Sequence, residues 1–515
     1  MNLSSLIGQR LMIGIRGTSL DRETRVHLKK LSPGGIILFS RNIKNCRQVK
    51  RLIEQIKEIV FPPPLFAIDQ EGGLVVRFFR EVTVMPGNMA LGAADSPELA
   101  FRQGVLTARE IKAIGFDLNL APVVDVATNP DNPGITLRSF GYDPKKVTQL
   151  AINLIKGMQA NGIGSVAKHF PGKGAAGKDA HFDLPIVPAL KKELDNIHLF
   201  PFKEAINNGV KGIMSSHVIY PSFFRGEKIP ATFSRTLITD YLRGKLGFKG
   251  VIFSDDLEMG AITKFFPFAE AVVKAILAGH DMILICSDYE KQRLAYQTLL
   301  KAFPDNILES DLALSLQRIQ ELRDFCSHFS DPPAPLIRVK SQARSLATKI
   351  AEQSITLISG ETQLPIIKAK NPIYAIIPNL KMLESVEDKF EPDENNFIIR
   401  EIKKYFPNIK ADFINLDPLP HELSSVEEKA KIAPLILAFI FNAKFFPGQK
   451  QLIEKLKAYS AKTIFILLRN PFDLQYLNSR QTVLLTYGYR KVQLAAAIRV
   501  LAGKLPARGK LPIKV

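Results

Sequence analysis

Short apolar segments alternate with longer amphipathic segments through the first 330 residues. Eight apolar runs have the length of β-strands, and stretches with an apolar residue every three or four positions lie between many of them. The apolar runs predict strands at residues 10–15, 35–39, 65–69, 116–122, 164–169, 210–214, 250–255 and 281–285. The amphipathic stretches predict helices at residues 47–60, 97–114, 144–161, 199–208, 268–278 and 307–325.

Eight strand–helix units in succession favour a (β/α)8 barrel over residues 1–330. The alternative is a doubly wound open sheet. Two features favour the barrel. No glycine-rich nucleotide-binding fingerprint follows the first strand, and polar residues gather at the carboxyl ends of many different strands.

A proline-rich segment separates this region from a second strand–helix series. Three prolines between positions 332 and 335 cannot continue a helix, so we expect a linker over residues 331–343. Residues 344–515 then predict a smaller three-layer α/β sandwich domain, with no P-loop and no GxGxxG motif for a nucleotide. Its predicted strands are 355–359, 373–378, 411–416, 434–441, 463–468 and 482–486, and its predicted helices are 341–353, 449–459 and 492–501.

Composition narrows the class of protein further. The net charge is +19, but the basic residues are scattered and form no recognition helix, RRM or zinc-finger pattern, which argues against specific nucleic-acid binding. The three cysteines, Cys46, Cys286 and Cys326, are far apart, so we expect no disulfide framework, no zinc site and a reducing compartment. The first residues show no signal-peptide pattern and no apolar run could span a membrane, which predicts a cytoplasmic protein.

Candidate chemistry follows the ends of the predicted strands. Because the carboxyl ends of all barrel strands lie on one face, polar residues that are distant in sequence should converge there. These residues are Asp69, Asp125, Lys168 with His169, His217, and Asp255 with Asp256.

The densest chemistry lies between residues 168 and 185. A strand brings Lys168 and His169 to its end, and the following loop carries Asp179 and His181. Glycines at positions 172, 174 and 177 would allow that loop to move. This arrangement suits catalysis, because a rigid element can hold binding groups while a loop brings up a proton carrier.

Arg138 joins the polar residues at the strand ends and on the loop as a candidate. Two reaction classes need a set of residues of this kind. One is metal-assisted hydrolysis, with Asp and His as ligands. The other is glycoside hydrolysis, in which a carboxylate attacks the anomeric carbon and a second group protonates the leaving oxygen. The cation of Lys168 beside His169 disfavours a metal, and no HxH or HExxH motif occurs, so the residues favour glycoside hydrolysis.

The motifs together resemble family 3 glycoside hydrolases, in particular the β-N-acetylglucosaminidase branch that acts on cell-wall sugars. The resemblance covers nearly the whole chain, and its most specific motif is the loop with Asp179-x-His181. The matching segments are GGIILFSRNI at 34–43, DQEGG at 69–73, APVVDV at 121–126, RSFG at 138–141, KHFPG at 168–172, SHV at 216–218, FSDDLEM at 253–259 and GKLP at 509–512.

The resemblance implies roles for individual residues. Asp255, the first acid after its strand, would be the nucleophile rather than Asp256, and would form a covalent glycosyl-enzyme with retention of configuration. His181 would be the general acid/base, oriented by Asp179. No cofactor and no metal would be needed. Substrate binding would fall to Asp69, Arg138, Lys168 and His169, with Asp125 and His217 supporting the pocket.

Three positions depart from the family pattern. Leu74 stands where relatives often have arginine, with Arg77 further on, and this puts one sugar contact in doubt. Lys173 replaces a common histidine, and Ala180 replaces the serine between the two dyad residues. Neither of these is the proton carrier, so we expect activity to survive.

The sequence therefore predicts a retaining β-N-acetylglucosaminidase that releases terminal β-linked N-acetylglucosamine, with muropeptide fragments as the expected substrate. A phosphorylase or a β-glucosidase of the same family is the nearest alternative. A histidine base repels an incoming phosphate less than a carboxylate does, which favours the phosphorylase, whereas the histidine dyad argues against the β-glucosidase. A non-catalytic sugar-binding protein is the remote alternative. The sequence leaves the oligomeric state open.

Overall fold

A closed barrel of eight parallel strands forms the first part of the molecule, with each strand paired to the next and β8 to β1. The structure is a computed structural model that describes residues 3–223, 229–302, 309–329, 336–360, 364, 366, 372–380 and 394–514. The predicted barrel is confirmed. Its strands are β1 (Leu11–Gly14), β2 (Gly35–Ile37), β3 (Leu65–Ile68), β4 (Leu118–Asn119), β5 (Gly164–Phe170), β6 (Gly212–Ser215), β7 (Val251–Asp256) and β8 (Met282–Ile285).

Side chains of each strand alternate between the barrel interior and the surrounding helices. In β1, Met12 belongs to the interior cluster, whereas Leu11 and Ile13 pack outward against the helices. The same period holds in β8, where Met282 points inward and Ile283 outward. The interior is therefore a packed core rather than a pore, and its upper layer is where the polar strand ends begin.

Helices surround the barrel, and α12 closes its amino-terminal end by packing Ile319, Leu322 and Cys326 into the interior cluster. All three cysteines are buried and free. The helices are α1 (Leu3–Gly8), α2 (Arg22–Leu31), α3 (Cys46–Lys57), α4 (Asn88–Ala94), α5 (Pro97–Ile114), α6 (Pro144–Gln159), α7 (Lys191–Glu193), α8 (Phe200–Asn207), α9 (Gly260–Thr263), α10 (Phe268–Ala278), α11 (Tyr289–Ala302) and α12 (Glu309–Ser327). Two π-helical segments occupy Leu194–His198 and Thr236–Lys245.

A six-stranded sheet forms the second part, in the order β11-β10-β12-β13-β14-β9, with only β9 antiparallel to its neighbour. The mixed α/β character expected for this region is confirmed. The strands are β9 (Thr356–Ser359), β10 (Ile373–Pro378), β11 (Ile409–Ile414), β12 (Leu435–Ile440), β13 (Thr463–Leu467) and β14 (Thr482–Leu485). The helices are α13 (Leu336–Ser354), α14 (Glu394–Lys403), α15 (Pro420–Ile432), α16 (Pro447–Lys457) and α17 (Lys491–Leu501).

The segment between the two parts is helical for most of the length expected to be a linker. Helix α13 begins at Leu336, so residues 336–343 of the predicted linker 331–343 are helical. The prolines that prompted the prediction lie at 332, 333 and 335, outside the described residues. Helix α13 packs against α4 and α5 of the barrel as well as against α17.

The end of the chain returns to the barrel. The backbone N–H of Lys510 donates to the carbonyl of Ala93, and the N–H of Tyr142 donates to the carbonyl of Pro512 at 3.0 Å. Gly141 lies so close to Pro512 that a side chain there would collide with its carbonyl oxygen. The GKLP segment thus ties the second domain to the loops that follow β3 and β4.

Candidate active site

The two-residue period of the strands places three polar side chains over the barrel axis. Leu65 and Ala67 of β3 point inward, so Asp69 continues the same row beyond the strand end. Lys168 follows Val166 in β5. Asp255 follows Val251 and Phe253 in β7 in the same way. The three residues therefore meet above the packed interior, on the carboxyl-terminal face.

Lys168 is the centre of a buried charge cluster. Its Nζ lies 2.8 Å from Asp69 Oδ1 and 2.7 Å from Glu71 Oε1. Arg138 binds Glu71 with two hydrogen bonds, Nε to Oε2 at 3.0 Å and Nη2 to Oε1 at 2.9 Å. Arg77 Nη2 donates to Asp69 Oδ2 at 3.0 Å. We call these five residues the strand-end cluster, in which three cations compensate two carboxylates.

Each charge in the strand-end cluster holds its neighbours in the ionised form. Burial would raise the pKa of Asp69, but Lys168 and Arg77 bring it well below its usual range. The pKa of Glu71 is lowered in the same way, by Arg138 and Lys168 against the effect of burial. Burial would lower the pKa of Lys168, and the two carboxylates raise it above its usual value.

Asp125 is fully buried behind the strand ends and orients His169. Its Oδ2 lies 2.8 Å from His169 Nδ1, and its Oδ1 accepts the backbone N–H of Lys173 at 2.7 Å. Burial raises the pKa of Asp125 to about 6, and burial together with the charge of Lys173 lowers the pKa of His169 well below its usual value. At neutral pH Asp125 is therefore a carboxylate and His169 a neutral ring, with the proton on Nδ1 and the lone pair on Nε2.

The pKa values of the two acids at the end of β7 are shifted in opposite directions. Burial would raise the pKa of Asp255, but Lys173 and His217 bring it below its usual value, and its Oδ1 accepts the N–H of Asp256 at 3.0 Å. Burial and the nearby charge of Glu258 raise the pKa of Asp256 to about 7. Asp255 is the acid that is fully ionised at neutral pH, as a nucleophile must be.

His217 supports the end of β7 from below. It is completely buried, and burial lowers its pKa, so its ring is neutral at neutral pH. Its Nε2 donates to the carbonyl of Asp256 at 2.9 Å, and its Nδ1 accepts from the hydroxyl of Thr232 at 2.7 Å. Both ring nitrogens are thus occupied by protein groups.

The loop after β5 carries a His–Asp pair at the mouth of the site. Asp179 Oδ1 lies 2.7 Å from His181 Nδ1 and also accepts the backbone N–H of His181 at 2.9 Å. The His181 side chain is 38% exposed, in contrast to the buried histidines at the strand ends. Although burial opposes it, the hydrogen bond and charge of His181 lower the pKa of Asp179 well below its usual range.

The loop rests on the start of helix α9. The N–H groups of Gly260 and Ala261 donate to the carbonyls of His181 and Ala180 at 3.1 and 3.0 Å. Ala180, which stands where the family pattern has serine, packs in a small apolar cluster with Met259 and Ala261. The loop is therefore anchored beside the strand that carries Asp255.

Two of the loop glycines have a different role from the one the sequence suggests. Gly172 has a φ of +114° and lies against His198, and a side chain at Gly174 would collide with the carbonyl of Val126. Close packing requires glycine at both positions. At Gly177, by contrast, a Cβ would meet only Asn129 Nδ2, at an ordinary contact distance of 3.8 Å.

A cavity of about 520 Å³ lies between the strand ends and this loop. Of the nine residues predicted for the site, Asp179, Asp125 and His217 lie behind the cavity wall and hold the residues in front of them. The other six line the cavity, namely Asp69, Arg138, Lys168, His169, His181 and Asp255.

Three residues of the site were not predicted from the sequence. Glu71 sits within the DQEGG motif and holds Lys168 and Arg138, yet its neighbour Asp69 was the acid assigned there. Arg77 lines the cavity and donates to Asp69, whereas Leu74 is buried in the core. Lys173 lines the cavity. Of the nearby charges, that of Lys173 does most to lower the pKa of Asp125 and of Asp255 against the effect of burial.

The described residues contain no group of three or more His, Cys, Asp or Glu that could hold a metal ion. Within the same part of the chain, no helix is both long and apolar enough to cross a membrane.

The cavity combines a carboxylate, a His–Asp pair and a fixed set of hydrogen-bonding charges, which are the groups that glycoside cleavage requires.

Comparisons with known proteins agree with this chemistry. The N-terminal domain of glycosyl hydrolase family 3 matches residues 3–322, and the domain described as "Beta-N-acetylglucosaminidase, C-terminal domain" matches residues 393–501. A beta-hexosaminidase of Alkalilimnicola ehrlichii is 37% identical over 310 residues, which are 59% of this chain and 87% of that protein. Beta-hexosaminidase A of Pseudoalteromonas piscicida is 28% identical, covering 100% of this chain and 97% of its own.

The fold has a solved counterpart over its whole length. The structure of a glycoside hydrolase family 3 beta-N-acetylglucosaminidase from Paenibacillus sp. str. FPU-7 superposes with a TM-score of 0.92 at 34% identity. That match covers 100% of this chain and 99% of the Paenibacillus chain.

Proposed function

Because the chain belongs to glycosyl hydrolase family 3 and is a glycosidase, we propose that it is a retaining β-N-acetylglucosaminidase. The observation that carries this proposal is that one cavity is lined by Asp255, His181 and four residues of the strand-end cluster, Asp69, Arg77, Arg138 and Lys168. Similarity to the Paenibacillus beta-N-acetylglucosaminidase supports N-acetylglucosamine as the sugar, and the match of residues 393–501 to a β-N-acetylglucosaminidase domain agrees with this choice.

In the first step, Asp255 attacks the anomeric carbon and the bond to the glycosidic oxygen breaks. His181 gives a proton to that oxygen, and the aglycone leaves as a neutral alcohol. Asp179 stabilises the protonated ring through the 2.7 Å hydrogen bond to Nδ1, which leaves Nε2 as the proton donor.

In the second step, water attacks the anomeric carbon of the glycosyl-enzyme. His181 takes a proton from the water, the bond to Asp255 breaks, and the sugar leaves with its original configuration. Two displacements at the same carbon account for the retention.

The strand-end cluster would hold the sugar. Asp69 can accept hydrogen bonds from sugar hydroxyls, while Lys168 and Arg138 can donate to them. His169 has its proton on Nδ1, so its Nε2 can accept a hydrogen bond from a sugar hydroxyl. Asp125 and His217 would act as supporting groups behind them.

The finer substrate that we propose is a muropeptide fragment with a terminal N-acetylglucosamine, as the family resemblance implies. Such fragments carry the carboxylates of the muramic acid and the peptide. Arg41, Lys291 and Lys173 add positive charge to the cavity lining, which suits an anionic aglycone.

Phosphorolysis is the second candidate function, and Lys173 is the observation that favours it. Its side chain brings positive charge into the cavity close to Asp255. A neutral imidazole base also repels phosphate less than a carboxylate base would. In this case phosphate would replace water in the second step, and the product would be a sugar 1-phosphate.

A matched set of aryl glycosides of β-N-acetylglucosamine and β-glucose, each with and without phosphate, tests both candidates. We expect cleavage of the N-acetylglucosaminide, a free sugar as product, and no gain from phosphate. Cleavage of the glucoside alone would overturn the N-acetyl assignment. A sugar 1-phosphate with faster turnover in phosphate would replace hydrolysis by phosphorolysis. A muropeptide disaccharide tested in parallel would establish the natural aglycone.

A further inference from the structure

One of the contacts between the second domain and the active-site face of the barrel is made by a buried lysine. Lys444, in the segment after β12, places its Nζ 2.6 Å from Oδ1 of Asp131 on the barrel. The Lys444 side chain is 10% exposed although its partner Asp131 is 68% exposed. A surface carboxylate of the barrel is therefore held by a sequestered cation from the other domain.

Lys444 is itself fixed in position by its own domain. The carboxylate of Asp473 accepts the backbone N–H groups of Ala443 and Lys444, each at 2.9 Å. Asp473 is fully buried, and Asn442 begins this turn with a φ of +56°. The ammonium thus projects from a backbone that is pinned on the inside of the second domain.

Asp131 belongs to a barrel loop, residues 129–135, that supports the loop carrying the His–Asp pair. Asn132 Nδ2 donates to the carbonyls of Lys173 and Gly174 at 2.8 and 3.2 Å. Asn129 Nδ2 donates to the carbonyls of residues 175 and 176 at 3.3 and 3.1 Å. The two asparagines therefore hold four consecutive carbonyls of the catalytic loop.

The same supporting loop lies beside the His–Asp pair. A Cβ added at Gly134 would come within van der Waals distance of Asp179 Oδ2, at 3.4 Å, and the carbonyl of Gly134 accepts a hydrogen bond from Arg138 Nη1 at 3.2 Å. The ion pair of Lys444 and the hydrogen bonds of Asn129 and Asn132 thus connect the second domain to the loop that carries Asp179 and His181.

We propose that Lys444 of the second domain is a positioning residue for proton transfer, acting through its ion pair with Asp131 on the loop that supports Asp179 and His181. This inference rests on the proposed role of the His–Asp pair. It assigns to the second domain a part in catalysis although, among the described residues, the cavity is lined by the barrel alone.

A purely structural role would make Lys444 one of several contacts between the domains. Lys510 offers a comparison for this possibility, since its Nζ lies 3.0 Å from Asp95 Oδ2, although this lysine is exposed and Asp95 also pairs with Lys146. Like the pair of Lys444 and Asp131, this pair joins a lysine of the second part of the chain to an aspartate of the barrel. Asp95, however, caps the end of α4, and among the described residues its side chain forms no hydrogen bond with residues 129–135.

The test compares Lys444→Met with Lys510→Met in the full-length protein, using aryl N-acetylglucosaminides whose phenols differ in acidity. A poor leaving group needs the proton from His181, whereas 2,4-dinitrophenolate leaves without it. We expect Lys444→Met to lower kcat about three- to tenfold for the poor leaving group, as a displaced catalytic group does, with KM nearly unchanged. For the 2,4-dinitrophenyl glycoside kcat/KM should stay nearly unchanged, because it reports the first step alone and that step needs no proton from His181. Lys510→Met should match the unmodified protein on both substrates.

Restoration of the ion pair with reversed charges provides the second arm. Lys444→Asp combined with Asp131→Lys should recover much of the lost kcat, whereas each single change should not. Equal losses in Lys444→Met and Lys510→Met, on both substrates and with equal lowering of Tm, would overturn the proposal in favour of a structural contact. So would an unchanged kcat in Lys444→Met.

His181→Ala, measured on the same two substrates, separates this proposal from the one on which it rests. If His181→Ala keeps full activity with the poor leaving group, the proposed role of the His–Asp pair is wrong. If His181→Ala loses that activity and Lys444→Met does not, only the role of Lys444 is wrong.

Discussion

The strand-end cluster and the loop with the His–Asp pair hold their charged groups in different ways. Lys168 is buried and contacts two carboxylates, each of which has a further cation of its own. His181 is partly exposed, and Asp179 is its ion-pair partner on a loop that depends on neighbouring segments. The groups proposed to bind the sugar are thus fixed by the barrel core, whereas the proposed proton carrier is fixed by contacts at the surface.

This difference suits the two tasks. A group that must match sugar hydroxyls gains from being rigid before the substrate arrives. A proton carrier must reach the glycosidic oxygen, exchange protons with water, and allow the aglycone to leave. We therefore expect substitutions in the two regions to change different kinetic constants.

The largest separation of the two regions should come from His181→Ala. Loss of the general acid/base should lower kcat about a hundred- to ten-thousand-fold with little change in KM. His421→Ala, at an exposed position on α15, provides a histidine control and should have no effect. Steady-state kinetics with an aryl glycoside of moderate leaving-group ability measures both constants. A raised KM with unchanged kcat would place His181 in the binding region instead.

Lys168→Ala should affect binding, turnover and stability together. It removes charged hydrogen bonds to the sugar, so kcat/KM should fall about 10- to 100-fold, through both constants. It also leaves Asp69 and Glu71 buried with less compensation, which should cost about 3–5 kcal/mol of unfolding free energy. Kinetics and denaturant unfolding provide the measurements.

Lys274→Ala is the control for Lys168→Ala, because its ion pair with Glu270 is half-exposed on α10. We expect its unfolding free energy to change by less than about 0.5 kcal/mol. Equal stability losses in the two variants would contradict the buried, compensated character of the strand-end cluster.

The buried histidines beneath the active site should make folding sensitive to acid, unlike the exposed His181. Burial lowers the pKa of His198 and of His280 from 6.5 to about 4 in the folded protein. The unfolded state therefore binds a proton on each histidine at a higher pH than the folded state does. The contribution of these histidines to the free energy of unfolding is fully present above pH 6.5 and is lost as the pH falls towards 4. The loss should reach about 3 kcal/mol for each histidine.

His198→Leu tests this pH dependence with the least disturbance. Neither ring nitrogen of His198 has a hydrogen-bond partner among the described residues. The substitution should make the decline of unfolding free energy between pH 6.5 and 4 less steep, whereas the exposed His421→Leu should leave it unchanged. An unaltered slope in His198→Leu would show that His198 is not buried in its neutral form.

Lys173→Met should change activity least among these substitutions. Lys173 follows the strand that carries Lys168 and precedes the loop that carries His181, so it lies between the two regions. Burial raises the pKa of Asp255, and Lys173 is the largest charge that lowers it again. Without that charge Asp255 takes up a proton at higher pH, so the acid limb of kcat/KM should move to higher pH while activity above neutrality is largely kept. Lys173→Arg should retain the original limb. A shift to lower pH would contradict the electrostatic role of Lys173.

Local patterns predicted two helices with their observed bounds. Helix α5 covers Pro97–Ile114 as predicted, because Ser96 accepts the N–H of Leu99 and Gly115 ends the helix with a φ of +112°. Helix α10 was also predicted with its observed bounds. Strand β4 is shorter than predicted because Asn119 bonds Gln70 with its side chain and Pro122 lacks an N–H. The pattern did not predict α14 and α15.

The site was predictable where a polar residue extends the inward row of a strand, as Asp69, Lys168 and Asp255 do. The ion pairs that compensate those charges were not predictable, because they join residues that are distant in sequence and meet only in the folded protein. Glu71 meets Lys168 and Arg138 across the barrel face, and nothing in the spacing of these residues specifies that contact. The pair between Lys444 and Asp131 joins two domains and is equally absent from any local pattern.

The central claim is that Asp255, fixed on a strand, forms the bond to the sugar while a separate loop moves the proton. The most direct test is peptide mass mapping after reaction with a ring-fluorinated N-acetylglucosaminyl fluoride, which forms the glycosyl-enzyme faster than water can release it. We predict one sugar attached to Asp255, and none in Asp255→Asn. A sugar attached to Asp256, or no adduct together with a product of inverted configuration, would contradict the claim.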